Sequence, residues 1–339
     1  MSRSSPTPRL AAPAVVAALG VALAGCSVAD SSSPSAAEEG AVTASSSAAG
    51  PVVAVATTTQ LASVADRVAR CGGGSVVSVM GPGDDPHDVA ASSDQVAQMV
   101  HSGLVFTNGL GLEGGMDSAL DNARQDGAVV VEVAPRLDPL PFGEHDADHA
   151  GHEGADAHAG HEHGSQDPHV WMDVARMAAA ARVVGDELAA ETGEQKYAEC
   201  GATVEGELEE TDRQVREILA AVPQERRTLV TDHDAYGYFS AAYGFTIEGV
   251  VVPGGSTDAE PSSRELAALT QQVKDHGAAA LLTSTGTPNG LVETVAREAG
   301  GLPVVQLYEG GVGPVGTPEA DYAQAMLHNA RTLADALKG

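Results

Sequence analysis

Short apolar runs alternate with stretches of helical periodicity along most of this chain, and that alternation decides the fold class. Val52-Val53-Ala54-Val55-Ala56 is a β-branched apolar run, followed by Leu61, Val64, Ala65 and Val68 at helical spacing and then by the stop Cys71-Gly72-Gly73-Gly74. Val76–Met80, Leu104–Phe106 and Val129–Val133 read as three more strands. Helices are predicted between them, one with Ser93 as its N-cap and one from about Met116 to Arg124. After Pro223 the same units return. Strands are predicted at Thr228–Thr231, Ile247–Val252, Ala279–Thr283 and Pro303–Leu307, and helices at Ala235–Tyr243, Ser262–His276, Asn289–Ala299 and Glu319–Leu337. Continuous apolar strands separated by helices imply a mainly parallel sheet covered on both faces. The sequence therefore predicts an α/β protein of two lobes. Between them, Tyr197, Val204, Leu208, Val215, Ile218 and Leu219 form one stripe. That stripe belongs to a helix of about 28 residues, roughly 42 Å long, enough to run along both lobes. Gly201 and Gly206 are expected to weaken it by about 1 kcal/mol each.

One stretch breaks the alternation. Between Phe142 and Val170 there is no large apolar residue, and His145, His149, His152, His158, His161 and His163 are interleaved with Asp, Glu, Gly and Ala. Such a composition cannot build a core and predicts a solvated loop. Imidazole is the commonest metal ligand and needs little deprotonation at neutral pH. These six histidines are expected to bind metal weakly, because ordering a flexible segment costs about 1–2 kcal/mol per residue. The compact run Asp167-Pro168-His169-Val170-Trp171-Met172-Asp173 follows, with the single Trp of the chain.

The amino terminus carries Arg3 and Arg9, an apolar run from Leu10 to Leu23, and Leu23-Ala24-Gly25-Cys26. It resembles a bacterial lipoprotein signal, cleaved before Cys26 with lipid on the thiol, and the apolar run is too short to span a bilayer. Residues 27–50 are Ser/Ala-rich and read as a tether. Cleavage removes two Arg and no acid, so the formal charge moves from −29 to −31. So acidic a chain argues against nucleic acid as a partner and would raise the local concentration of cations. Cys71 and Cys200 remain, two thiols that an exported protein holds either reduced or joined in one disulfide.

Three histidines outside the loop follow strands or strand-and-loop units: His87, His169 and His233. Open α/β sheets bind ligands beyond the carboxyl ends of their strands, so these three are expected to converge between the lobes. Asp85-Pro86-His87-Asp88, Asn108-Gly109-Leu110-Gly111-Leu112-Glu113, Asp167–Asp173 and His233-Asp234-Ala235-Tyr236-Gly237-Tyr238-Phe239 resemble the successive motifs of zinc-uptake ABC-transporter solute-binding proteins. The resemblance covers about Val52 to Leu337. It implies two lobes joined by a rigid helix, a metal site in the cleft held by His87, His169 and His233, and delivery of Zn²⁺ to a membrane permease and its ATPase. It also implies an exported monomer, lipid-anchored to the outer face of the cell membrane, that is not an enzyme. Three imidazoles suit zinc better than manganese, which favours oxygen. The expected layout is a signal at 1–25, a tether at 26–50 and an N-terminal lobe at 51–192 that includes the His-rich loop 143–166. The long helix follows at 193–222 and the C-terminal lobe at 223–339.

The fourth ligand departs from that pattern. The family usually places a carboxylate after the last strand, and an ungapped match puts Gly310 there, in Leu307-Tyr308-Glu309-Gly310-Gly311. A one-residue slip makes Glu309 the ligand, which is the favoured reading. Water or a loop histidine are the alternatives. Gly109-Leu110-Gly111-Leu112-Glu113-Gly114 also fits the Gly-x-Gly-x-x-Gly dinucleotide fingerprint, with Glu132 beyond it. Its strand is not the first of its half and the next helix starts late, which argues against a nucleotide. Two other functions fit the same residues: a surface zinc buffer or adhesin, and a zinc hydrolase with an open coordination position. No motif supplies the general base of a His-Glu-x-x-His helix.

Overall fold

A computed structural model of the chain describes residues 50–142, 166–252, 257, 261–285 and 290–338. The signal-like segment, Cys26, the tether up to residue 49 and the six loop histidines lie outside these residues.

The first sheet holds β1 (Val52–Ala56), β2 (Ser75–Ser78), β3 (Leu104–Thr107) and β4 (Val129–Glu132), all parallel, in the order β2-β1-β3-β4. The helices α1 (Thr59–Cys71), α2 (Ser93–Ser102) and α3 (Asp117–Gln125) connect them. Thr58 caps α1 by accepting from Leu61 N–H. The cap of α2 is Ser92 rather than Ser93, because Ser92 and Gln95 form a reciprocal capping box that satisfies two otherwise orphaned donors. The second sheet repeats the plan with β5 (Thr228–Thr231), β6 (Thr246–Val250), β7 (Ala280–Ser284) and β8 (Val304–Leu307), in the order β6-β5-β7-β8.

Between the sheets run α4 (Val174–Thr192) and α5 (Lys196–Ala220), and α6 (Gly237–Tyr243), α7 (Ser263–His276), α8 (Gly290–Glu298) and α9 (Tyr322–Leu337) belong to the second half. The final helix starts at Tyr322 rather than near Glu319, because the Asp321 side chain caps it. The long helix has 25 residues, about 37 Å at the usual rise. It runs back along α4 after the Gly193 turn and touches both halves. Near its start Cys200 is bonded to Cys71 at the end of α1. Near its end Asp212 accepts from Tyr243 Oη of α6, and Arg227 Nη2 donates to Leu219 O. The disulfide closes a loop of 129 residues, worth about 5 kcal/mol in the chain-entropy model.

Residues of both halves share one contiguous apolar core, from Ala54 and Phe106 through Trp171, Leu208 and Tyr236 to Leu282 and Leu333. Three tyrosine hydroxyls are hydrogen-bonded across it. Tyr238 donates to Asp167 O at 2.7 Å, Tyr322 donates to Trp171 O at 2.6 Å, and Tyr243 accepts from Val174 N–H at 3.1 Å.

The two helix glycines differ sharply. A Cβ on Gly201 would meet Ala181 O at 2.8 Å and Gly185 Cα at 3.0 Å, so this glycine lets α4 and α5 touch backbone to backbone. Nothing stands within 4 Å of a Cβ on Gly206. Only Gly206 is thus a plain loss of helix propensity. Gly206→Ala is expected to raise stability by about 1 kcal/mol. Gly201→Ala should lower it by about 1–3 kcal/mol through overpacking. Denaturant unfolding of the two variants checks both signs.

Candidate metal centre

The site is built from one local device used three times. An aspartate precedes each histidine and turns back onto it. Asp85 Oδ1 accepts from His87 N–H at 2.9 Å in the loop after β2, and Asp167 Oδ1 accepts from His169 N–H at 2.9 Å. After β5, Asp232 Oδ1 accepts from His233 N–H at 2.8 Å. Asx-type bonding of this kind fixes a tight turn without help from the rest of the fold. In two cases the same oxygen also faces the ring: Asp167 Oδ1 lies 2.7 Å from His169 Nδ1, and Asp232 Oδ1 lies 3.0 Å from His233 Nδ1. A proton held on Nδ1 leaves Nε2 as a lone-pair donor, the usual arrangement behind a metal-binding imidazole.

The three rings face one another. Their centroids are 5.2 Å apart for His87 and His169, 5.5 Å for His169 and His233, and 5.8 Å for His87 and His233. One nitrogen from each lies within 4.8 Å of the others, and His87 Nε2 is 3.2 Å from His169 Nε2. His169 and His233 are buried and His87 is half-buried. His233 Nε2 is buried with no hydrogen-bond partner. An orphaned buried nitrogen is costly by itself, and a cation between the rings would satisfy it.

Glu309, just past β8, is buried with Oε1 at 3.8 Å from His233 Nε2, outside the tighter set of three nitrogens. Its Oε2 accepts from Ser284 Oγ at 2.5 Å. Burial raises its pKa to about 7, with the charge of His233 opposing. Burial pushes His233 down, but the Glu309 and Asp232 carboxylates more than reverse this and bring it to about 9. Burial, reinforced by His233, holds His169 well below its usual value, and burial raises Asp167 to about 7. Asp232 is lowered: burial acts upward, and its bonds to His233 and Ser284 prevail. Without metal, the site thus keeps His169 neutral and holds one proton on His233. The His87 and His233 rings, with Asp85, Asp232, Ser284 and Glu309, line a cleft of about 750 Å³, counting space open to solvent.

The structure thus brings His87, His169 and His233 together, with Glu309 beside them. Gly310 also borders the cleft, but supplies no ligand atom. The Gly109 loop is occupied by its own chain. Glu113 accepts from Thr57 Oγ1, Thr107 Oγ1, Asn108 N–H and Gly109 N–H at 2.6–3.0 Å. A carboxylate fills the place a phosphate would need, and α3 begins only at Asp117. Asn108 Nδ2 instead donates to Pro168 O at 2.9 Å and braces the second Asp-Pro-His turn. Sequence reading missed Asp167, Asp232 and Ser284 as partners of the ligand groups. For the two aspartates the signal was present: an acid one or two residues before each histidine.

The chain was compared with known proteins. Residues 54–336 match the family model described as zinc-uptake complex component A, periplasmic (ZnuA). The chain is 29% identical over 333 residues to the manganese-binding lipoprotein MntA of Bacillus subtilis, covering 94% of this chain and 95% of that one. It is 31% identical over 294 residues to the zinc-binding protein TroA of Treponema pallidum, covering 82% and 87%. The solved structure of TroA, at 28% identity, superposes with a TM-score of 0.71 over 86% of this chain and all of that one. Two parallel four-stranded sheets, a long helix between them and a family match over almost all the described residues lead to one conclusion: the chain belongs to the ZnuA family of periplasmic metal-binding proteins.

Proposed function

We propose that this protein is the extracytoplasmic solute-binding component of an ABC metal importer and that its cargo is Zn²⁺, held by His87, His169, His233 and Glu309. The convergence of three imidazole nitrogens within 4.8 Å, one of them buried and unpartnered, carries this reading. Three nitrogens and one carboxylate make a tetrahedral set suited to zinc, whereas manganese favours more oxygen donors. Relatives are named for zinc and for manganese, so the preference for zinc rests on the donor set. A permease and an ATPase are the partners that such a component requires. Lipid on Cys26 would keep the monomer at the outer face of the membrane.

The His-rich segment plays a secondary part. Its stems meet at Pro141 and Gln166, where Asp167 N–H donates to Leu140 O, only a few residues from His169. Weak and rapid metal exchange at its six histidines would supply the tight site with zinc.

Replacing any one of His87, His169 and His233 by Ala is expected to weaken zinc binding at least a hundredfold, and Glu309→Ala at least tenfold. Calorimetry against competing chelators measures both, and an unchanged affinity removes that residue from the site. Zinc must also displace protons. Below about pH 9 the metal-free His233 is protonated, and below about pH 7 Glu309 joins it. Affinity should therefore rise with pH between 6 and 8, about tenfold per unit for each proton released, and more steeply below 7. Titrations in buffers of different ionisation enthalpy count the protons, and a flat profile would contradict the assignment of the shifted groups. Deleting residues 144–164 should lower the number of zinc ions bound while leaving one tight ion. Loss of the tight ion would make the loop part of the site.

A further inference from the structure

The backbone of Glu309 is gripped from the opposite lobe. Its carbonyl oxygen accepts from Trp171 Nε1 at 2.8 Å and from Gln60 Nε2 at 3.1 Å. Glu309 follows β8 of the second sheet. Gln60 lies in the first turn of α1, and Trp171 in the short turn directly after His169. All three residues are 2–3% exposed, so these bonds are shielded from water. The grip extends along the loop. Thr59 Oγ1 donates to Gln60 Oε1 at 3.3 Å and accepts from Val312 N–H at 3.1 Å. That contact fixes the Gln60 amide so that its NH₂ points at Glu309. From its own lobe the loop is held by Asn329, which bonds both Tyr308 N–H and Tyr308 O at 2.8 Å, and by Ser284 Oγ, which accepts from Gly310 N–H at 3.2 Å.

Position by position, the loop has no freedom to slip. This bears on the departure noted above, where Gly310 stands in the family's carboxylate position. The two glycines after Glu309 would otherwise give the loop its greatest latitude. A shift of one residue would exchange Glu309 for Gly310 and remove the only carboxylate that this loop offers. The bonds also couple the two halves of the site. The turn that presents His169 from one lobe holds the carbonyl of Glu309 in the other, and the Trp171 indole packs edge-on against the His169 ring at 5.2 Å.

We propose that Trp171 and Gln60 are positioning residues of the metal site, a clamp across the lobes that sets the register of the 308–312 loop and so aims the Glu309 carboxylate at the three imidazoles. The inference rests on Glu309 as the fourth ligand.

The test uses the mature chain and zinc, with affinities from a competing chelator. Trp171→Phe keeps an aromatic ring and removes the indole N–H. Gln60→Met keeps the length and removes the amide. Each is combined with Glu309→Ala. Both single variants should bind zinc about tenfold more weakly. In the Glu309→Ala background neither should cause further loss, because no carboxylate remains to be aimed. A merely structural role would weaken binding equally in both backgrounds, and that additivity overturns the proposal. So does single-variant affinity within threefold of the parent. If Trp171→Phe does not fold, the isosteric Gln60→Met decides alone, with thermal melting to show that it is folded. If instead Glu309→Ala leaves zinc affinity unchanged, the ligand assignment itself has failed, and the clamp falls with it. That result is recognisable without either clamp variant.

Discussion

Three imidazoles that each place a nitrogen within 4.8 Å of the others cannot all take up a second proton and become cations, and this constraint organises the molecule. Placed in water, such rings would drift apart or ionise. Here two of the three are buried, and burial drives His169 to its neutral form. The flanking aspartates decide which nitrogen keeps the proton. Asp167 and Asp232 stand against the Nδ1 atoms, so that the Nε2 atoms face inward. Metal binding then adds a positive charge to a place already lined by carboxylates, and it displaces the proton that His233 holds there. The surrounding chain has to hold three loops, from β2, β4 and β5, against their mutual repulsion.

It does so by refusing the two sheets independent movement. Binding proteins of two α/β lobes that close about a hinge need an interface that opens at little cost. In this chain the apolar core is continuous through both halves, and buried tyrosine hydroxyls stitch the seam. The α4–α5 pair adds a backbone-to-backbone contact at Gly185 and Gly201, and the Cys71–Cys200 bond ties α5 to the first lobe. An interface of this kind does not open easily. Access to the site then falls to the half-buried side, where His87, Pro86, Gly310 and Thr285 border the cleft.

The sequence made some of this legible because some of it is local. Strands β1, β3 and β5 are short β-branched runs with turn residues after them, and their positions follow from composition alone. His87, His169 and His233 were identifiable because strand ends are where open sheets bind ligands, and because each histidine sits in a short motif. Gly201 was misjudged as a weak point of its helix, since nothing in the neighbouring residues reveals that Gly185 of another helix will press against it. The pairing of Cys71 with Cys200 depends on a contact across 129 residues and has no local sign. The register of the Glu309 loop has none either. It is set by Gln60, far away in the chain, through a bond to a backbone oxygen that any residue would possess.

That last point also bears on the proposed choice of ion. The donor set is decided by which side chain of a Gly-rich loop reaches the cleft, and the composition of the loop does not settle it. A Cβ at Gly310 would find ordinary room, 3.5 Å from Ser284 Oγ and 3.9 Å from Pro86 Cδ. Sterics therefore do not forbid a carboxylate there. With glycine at 310 and Glu309 tied to Ser284 through one oxygen, the other oxygen faces His233 as a single donor. Three nitrogens and one such oxygen would make the proposed tetrahedral set, and a fifth or sixth oxygen has no side chain in this loop to supply it. A hard ion that prefers six oxygen-rich positions would have to retain water in the remaining places, whereas zinc would not. The proposed preference for zinc rests on what the loop lacks at 310 as much as on what it places at 309.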